Sequence, residues 1–427
     1  MAISIRLHRT ALLRQPVFLL FWTGQTISAF GTQITALALP LTAVLTLGAS
    51  PVQMGLLSAA HTGPLLILGL FAGVWVDRLR RRPILIAADL GRGMLLATIP
   101  PAALLGLLSM EQLYTVALGT GVLTTFGTVA HASFVPAVVG REYLTEGNSR
   151  LAMSSQAAGV LGPGLAGGLV QMVTAPVAIL LDALSFAASA FCLIINRVSE
   201  VPPPTPKQRE HVWNEIGQGL RFVWRNQMIR ALCIATGTFN LFGGALWAVF
   251  VLYATRVLRV EPGALGVALA VGGCGGLLGA LIAGHAVRRF GLGRVFLSAL
   301  IVTGASVSLL PMAHVVPVAK APLLTAQMLL FGLGNVIFSV NAVSLLQALT
   351  PERVLGRVTA TTRIIAGGSS PIGVVVGGVL GGALGLPPTL WIVAAGVFLA
   401  VPWLWFSPVR TLRHIPVAGS GNASQGS

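Results

Sequence analysis

Charge is what this sequence has least of. Only 9% of its 427 residues are Asp, Glu, Lys or Arg, against about 25% in an ordinary soluble domain. Acid is scarcer still: 11 Asp and Glu stand against 27 Lys and Arg, a formal net charge of +16. Cysteine is limited to Cys192, Cys233 and Cys274, each isolated in an apolar run, which provides neither a disulfide framework nor metal-ligand spacing. The sequence has no Gly-rich phosphate loop ending in Lys-Ser/Thr, so it does not encode an ATP-driven pump. It shows no convergent nucleophile and base and no helical metal cluster. The expectation is therefore not an enzyme, with no cofactor and no metal. The basic excess lies in short clusters without interleaved aromatics, which argues against nucleic acid as a partner.

What is there is apolar: 55% of residues are hydrophobic and mean hydropathy is +0.86. Twelve apolar segments are each long enough to cross a bilayer, which takes about 20 residues. They cover 16–45, 51–77, 83–107, 112–138, 149–174, 176–196, 228–256, 262–287, 291–313, 320–348, 355–384 and 387–408. The first follows Arg6, Arg9 and Arg14, as a signal peptide would, and Ala36 and Ala38 imitate a cleavage site. The run is much longer than a signal core of about 7–15 residues, so it reads as a retained first membrane helix.

The basic residues number the crossings. With the N-terminus inside, 23 of the 27 Lys and Arg fall in cytoplasmic segments; Arg92 lies within the third span, and Arg256, Arg259 and Lys320 fall outside. The clearest cluster is Gly73, Asp77, Arg78, Arg80, Arg81 and Arg82, where a long apolar run meets one acid and four arginines. Both termini are expected in the cytoplasm. The longest polar stretch opens with Pro202, Pro203, Pro204 and Pro206, which cannot join a helix ladder. Trp213, Ile216, Leu220 and Val223 then recur at three- and four-residue steps beside basic residues, the pattern of a helix on the membrane surface.

These features give an all-α membrane protein with twelve transmembrane helices in two six-helix, pseudo-symmetric halves. Residues 1–196 form the N-terminal half, 197–227 a cytoplasmic connector with an amphipathic helix, 228–410 the C-terminal half, and 411–427 a small polar tail expected to be disordered. The halves echo each other: Gly55, Gly73 and Asp77 correspond to Gly266, Gly284 and Arg288, each 211 residues on. Internal repeats of this kind are characteristic of secondary transporters, with substrate sites near the midplane.

Several motifs now converge. Gly73, Asp77, Arg78, Arg81 and Arg82 resemble the loop 2–3 signature of the major facilitator superfamily, with a degenerate copy at Gly284, Arg288, Arg289, Gly291 and Arg294. Gly159, Gly162, Pro163, Gly167 and Gly168 in the fifth segment resemble the antiporter signature of its exporter branches. Ala88, Asp89 and Arg92, then Asp182 and Phe186, Gly219 and Trp224, and Gly356 and Arg357 narrow the likeness to bacterial enterobactin-exporter-like and macrolide-efflux-like permeases. The resemblance spans nearly the whole chain. It implies secondary active efflux of a hydrophobic or amphipathic small molecule of drug, antibiotic or siderophore class, by proton-coupled antiport and alternating access. The other reading is an importer or facilitator of a small organic solute on the same fold. The resemblance further implies a monomer in the bacterial inner membrane, with a proton as coupling ion.

It also assigns roles. Gly73, Asp77, Arg78, Arg81, Arg82, Asp89, Arg92, Arg357 and Arg363 are expected to form a cytoplasmic gate, and the fifth-segment glycines with Pro163 a hinge. Ionisable groups are costly inside a bilayer and mark function by default. Asp182 and His61 are the proton-coupling candidates, and His131 is a further titratable group within the spans. Asp89 and Arg92, three residues apart, are expected to pair with each other or with the gate. By depth, Gln25, Gln33, Phe239, Asn240, Trp247, Asn335 and Asn341 are the substrate-binding candidates. The fourth segment lacks the arginine that many proton-coupled exporters of the family carry midway, which leaves the usual proton relay without one of its members.

Overall fold

A bilayer offers no water to an unpaired peptide group, so each apolar run must satisfy its own N–H and C=O groups as a helix. In the computed structural model it does. Residues 12–76, 78–140, 142–196, 198, 212–316 and 320–414 are described. Asp77, the proline-rich stretch within 199–211 and the tail from 415 lie outside the described residues.

The first six spans are Pro16–Leu41, Pro51–Val76, Arg81–Ala97 extended by Ile99–Leu104, Met110–Val139, Leu144–Val173 and Ala175–Ile195. A connector helix, Val212–Arg225, follows. The last six are Gln227–Leu252, Pro262–Phe290, Leu292–Val315, Lys320–Leu349, Glu352–Leu384, and Leu386–Phe398 with Ala400–Trp405. Eleven of these are long and apolar enough to cross a membrane. The exception is the fifth, Leu144–Val173, whose length is sufficient at 30 residues but whose face carries polar side chains. No strand occurs among the described residues. Exposed side chains such as Ile67 and Leu281 keep the surface apolar, as lipid requires.

The repeat is visible in the helix boundaries. Spans one, two, three and six begin at Pro16, Pro51, Arg81 and Ala175, and spans seven, eight, nine and twelve begin 211 residues later at Gln227, Pro262, Leu292 and Leu386. Spans one and seven both unwind into a π turn, Thr42–Thr46 and Tyr253–Val257, again 211 residues apart. The sequence predicts an unbroken third helix, but the structure interrupts it at Thr98. Pro100 and Pro101 offer no amide hydrogen there, and the ladder restarts at Ile99.

The described chain divides into two compact units. One comprises Met1–Lys207 with Glu261–Ala270, the other Gln208–Val260 with Val271–Ser427. The first turns of the eighth span thus pack with the first six spans. Glycine makes this possible: a Cβ at Gly167 would lie 2.8 Å from Gly266 Cα. Gln171 Nε2 donates to Glu261 Oε2 nearby (3.0 Å). In the second unit Gly377 sits against Ala245 of the seventh span, where a Cβ would come within 2.6 Å of its Cα. Small residues allow such approach where lipid supplies no hydrophobic drive between helices. Val223 of the connector helix is buried with Ile229, Cys233 and Val358, so that helix is anchored on the seventh and eleventh spans.

Polar groups secure the helix ends. Asn226 accepts from the amides of Met228 (3.0 Å) and Ile229 (3.1 Å), starting the seventh span. Asn196, closing the sixth, donates to the Val17 carbonyl of the first (2.7 Å).

Two non-glycine residues hold positive φ, Thr174 (104°) and Arg259 (57°). Each has a positive-φ glycine at its repeat position, Gly385 (86°) and Gly48 (64°). For a β-branched residue this region is strained by about 1–3 kcal/mol. Gly385→Thr is therefore expected to lower unfolding stability by about that amount, while Thr174→Gly leaves it unchanged or higher; thermal unfolding in detergent checks both, and a neutral Gly385→Thr contradicts the strain.

Candidate functional site

The first unit holds a half-open cavity of about 370 Å3, lined by polar and apolar side chains, between the first, third, fourth and fifth spans. Helical spacing builds it. Gln25, Ser28, Thr32 and Gln33 fall on one face of the first span, Asp89 and Arg92 on one face of the third. Thr128 and His131 come from the fourth span, and Ser154 and Ser155 from the fifth.

Asp89 and Arg92 form an ion pair in the middle of the third span. Asp89 is only 2% exposed, so its charge is withdrawn from water and needs this partner. Arg92 also donates to the Ala88 carbonyl (3.3 Å) and lies over the Phe186 ring, 4.2 Å from its centroid. Gly127 leaves the space beside the guanidinium open, since a Cβ there would be 3.7 Å from it. Asp89 Oδ2 is buried without a hydrogen bond, with Ser189 of the sixth span close to the carboxylate. Ser189 in turn accepts from Gln25 Nε2 (3.3 Å). At one end Trp22 Nε1 donates to Ser154 Oγ (2.9 Å), which Thr26 also reaches (3.0 Å). His131 stacks on Phe21 with centroids 5.4 Å apart. The cavity thus presents an ion pair, amides and hydroxyls within otherwise apolar helices, a setting for the polar part of an amphipathic molecule.

The expected site residues are distributed as follows. Gln25 and Gln33 join Asp89 and Arg92 in the cavity. Asp182, 1% exposed, is outside it, sealed between the sixth and first spans. It accepts from Ser185 Oγ (3.0 Å) beside Thr35. His61 is exposed on the second span and reaches the backbone of Ala117 in the fourth. Of the gate residues, Asp77 lies outside the described residues. Gly73 faces open space and Arg78 is exposed. Arg81 opens the third span, and Arg82 donates to the last carbonyls of the sixth, Leu193 (2.9 Å) and Ile194 (2.7 Å). There it meets the negative end of the helix dipole. In the second unit Arg357 bonds Gln218 of the connector helix, and Arg363 is exposed. At the hinge, Gly162 lies against Gln33 and Gly167 against Gly266, with Pro163 between them, whereas Gly159 and Gly168 face open space.

The second-half substrate candidates are less alike. Phe239 is buried in an aromatic core with Phe331 and Phe338 (6.5 and 5.6 Å). Asn240 donates to the Ala366 carbonyl (2.7 Å), and Asn341 to Ile337 of its own helix (2.7 Å). Trp247 is 44% exposed and Asn335 half-buried. The hydroxyl-bearing cavity residues absent from the expected set are Thr26, Ser28, Thr32, Thr128, Ser154 and Ser155. Ser28 and Thr32 share the helical face of Gln25, the one sequence signal among them; Thr128, Ser154 and Ser155 lie on other spans and gave none.

Comparison with known proteins identifies the family. The family described as "Transmembrane secretion effector", within the major facilitator superfamily, matches residues 8–421. The chain belongs to that family. It is 29% identical over 393 residues to the multidrug efflux pump Tap of Mycolicibacterium fortuitum, covering 88% of this chain and 91% of that one. It is 27% identical to the enterobactin exporter EntS of Citrobacter koseri, covering 82% of each. Among solved structures, a bacterial homologue of the iron transporter ferroportin in an inward-facing state superposes with TM-score 0.74. That likeness, at 19% identity over 92% of this chain and 98% of that one, concerns the fold alone. The nucleoside transporter NupG superposes equally well, TM-score 0.74 at 10% identity, over 92% and 98%. The protein is a multi-pass membrane transporter with a small-molecule substrate.

The transporter's Asp182 depends on a missing side chain opposite. A Cβ at Gly31 would lie 2.5 Å from Asp182 Oδ1 and 2.7 Å from Ser185 Cβ. Gly31→Ala is expected to destabilise the first unit by about 1–3 kcal/mol through overpacking, read as a lowered thermal midpoint; an unchanged midpoint contradicts the tight seating of Asp182.

Proposed function

We propose that this transporter exports a hydrophobic or amphipathic small molecule, of the drug, antibiotic or siderophore class, across the bacterial cytoplasmic membrane in exchange for protons. The observation that carries this reading is the cavity in which Asp89, Arg92, Gln25 and Gln33 converge inside apolar helices. An amphipathic solute would place its polar groups on the pair and the amides, and its apolar part along the surrounding side chains. The relatives named as a multidrug efflux pump and as enterobactin exporters support the outward direction. The transporter works as a monomer with both termini in the cytoplasm.

Asp182 and His61 serve as the proton-coupling groups in this reading. Asp182 is enclosed by hydroxyls and His61 is open, so the two would load and release protons by different routes. Gly73, Asp77, Arg78, Arg81 and Arg82 with Asp89, Arg92, Arg357 and Arg363 make the cytoplasmic gate, and the fifth span bends at Pro163 between its glycines. Phe239, Asn240, Trp247, Asn335 and Asn341 supply the second half's share of the substrate path. The chain performs no covalent chemistry.

The test is uptake into everted vesicles of a panel of dyes, macrolides and catechol siderophores. Accumulation of at least one compound is expected with an inward-acid gradient and is lost on adding a protonophore. Gly127→Ala, whose methyl makes only ordinary contacts, retains it. Gly127→Phe fills the space beside Arg92 and reduces it about tenfold, equivalent to losing about 1.4 kcal/mol of binding. Accumulation that ignores both the gradient and Gly127→Phe contradicts the proposal.

A further inference from the structure

The degenerate copy of the loop motif differs from the first in one decisive way. At the position of the acid, Asp77, the second half carries Arg288, 211 residues on. The local counter-charge is therefore replaced by another cation. Arg288, Arg289, Arg294, Arg410, Arg413 and His414 line a cavity of about 360 Å3 in the second unit. No Asp or Glu lines it, and among the described residues none of the five arginines pairs with a carboxylate. The 415–427 tail that follows contains no Asp or Glu either.

The cluster is held in place by the fold. The ninth span starts from Gly291 (φ 87°), and its first amides are used by the chain that follows the twelfth span. Leu292 N donates to the Arg413 carbonyl (3.2 Å) and Gly293 N to the Leu412 carbonyl (2.9 Å). Gly293 is what lets this chain lie so near, because a Cβ there would be 2.6 Å from the Val409 carbonyl. The backbone thus fixes Arg410 and Arg413 opposite Arg288, Arg289 and Arg294.

We propose that this cavity binds the phosphate headgroup of an anionic phospholipid. Guanidinium groups match phosphate oxygens in charge and in bidentate geometry. Basic pockets between membrane helices are where anionic headgroups lodge. A free phosphate would answer the charge alone, but the surroundings are aromatic and open. Arg410 lies 5.5 Å from the Trp405 ring and Arg289 5.7 Å from the Phe290 ring. Trp405 (48%), Phe290 (56%) and Phe406 (82%) are exposed. A tryptophan such as Trp405 sits at the headgroup level of a bilayer, so the acyl chains of the same lipid would cover the neighbouring Phe290 and Phe406. The site depends on membrane embedding and not on the direction of transport, so it stands or falls separately from the export reading.

The experiment uses the whole transporter in neutral detergent, with thermal midpoint and lipid retained in native mass spectra as readouts. Phosphatidylglycerol is expected to raise the midpoint and remain bound, whereas phosphatidylcholine and inorganic phosphate do neither. Each arginine removed is expected to weaken retention about fivefold. R289Q/R294Q should therefore abolish the midpoint shift, while K320Q, outside the cluster, keeps it. Should the double variant fail to fold, R294Q alone still reads the retention. Equal retention in the arginine variants, an equal shift with phosphatidylcholine, or a full shift with inorganic phosphate alone would each overturn the proposal.

Discussion

The Asp89–Arg92 pair is the interaction around which the first half is built. A single charge midway through a span is expensive in a bilayer. Two opposite charges one helical turn apart offset much of that cost, provided their other valences are also met. Here they are met unequally. Arg92 has its carboxylate, a carbonyl and the Phe186 face. Asp89 retains one buried oxygen without a hydrogen bond. Ser189 lies close to that carboxylate, so the pair is tied to the sixth span as well as to its own helix. The fourth and fifth spans add hydroxyls, Thr128, Ser154 and Ser155, to the lining beside the pair.

The two halves show how one repeat diverges under it. They share helix starts 211 residues apart, a π turn after the first helix, and left-handed backbone at corresponding loops. Their interiors differ. Where the first half has a half-open cavity, the second packs Phe239, Phe296 and Phe338 into a buried core. Where the first loop carries Asp77 among its arginines, the second has Arg288. The backbone plan was kept while charge and volume were redistributed, so each half presents a different chemistry on the same frame.

Much of the architecture was legible because bilayer thickness and the placement of arginine are coarse signals that twenty-residue runs record faithfully. The twelve crossings and two halves could be read in this way. The break at Thr98 could not, because proline inside a span is common and only packing decides whether the ladder stops; Pro163 and Pro371 leave theirs unbroken. Glu261–Ala270 joining the first unit depended on Gly167 meeting Gly266 across a long sequence separation. At the site, the residue types were legible and their meeting was not. Gln25, Gln33, Asp89 and Arg92 stood out as polar groups in apolar runs. Ser154, Ser155 and Thr128 did not, because hydroxyls in helices commonly bond their own backbone, as Thr128 does to Thr124 (2.8 Å). Asn341 shows the converse, an eye-catching amide whose donor is used within its own helix.

The most direct test is a double-mutant cycle on Asp89→Asn and Arg92→Gln, with unfolding in detergent as the readout. If the pair organises the first half, each single change leaves an uncompensated charge, and the double variant loses less stability than the sum of the two. The expected coupling is about 1–3 kcal/mol. Strict additivity would mean that the two charges act independently, and the cavity would lose its foundation.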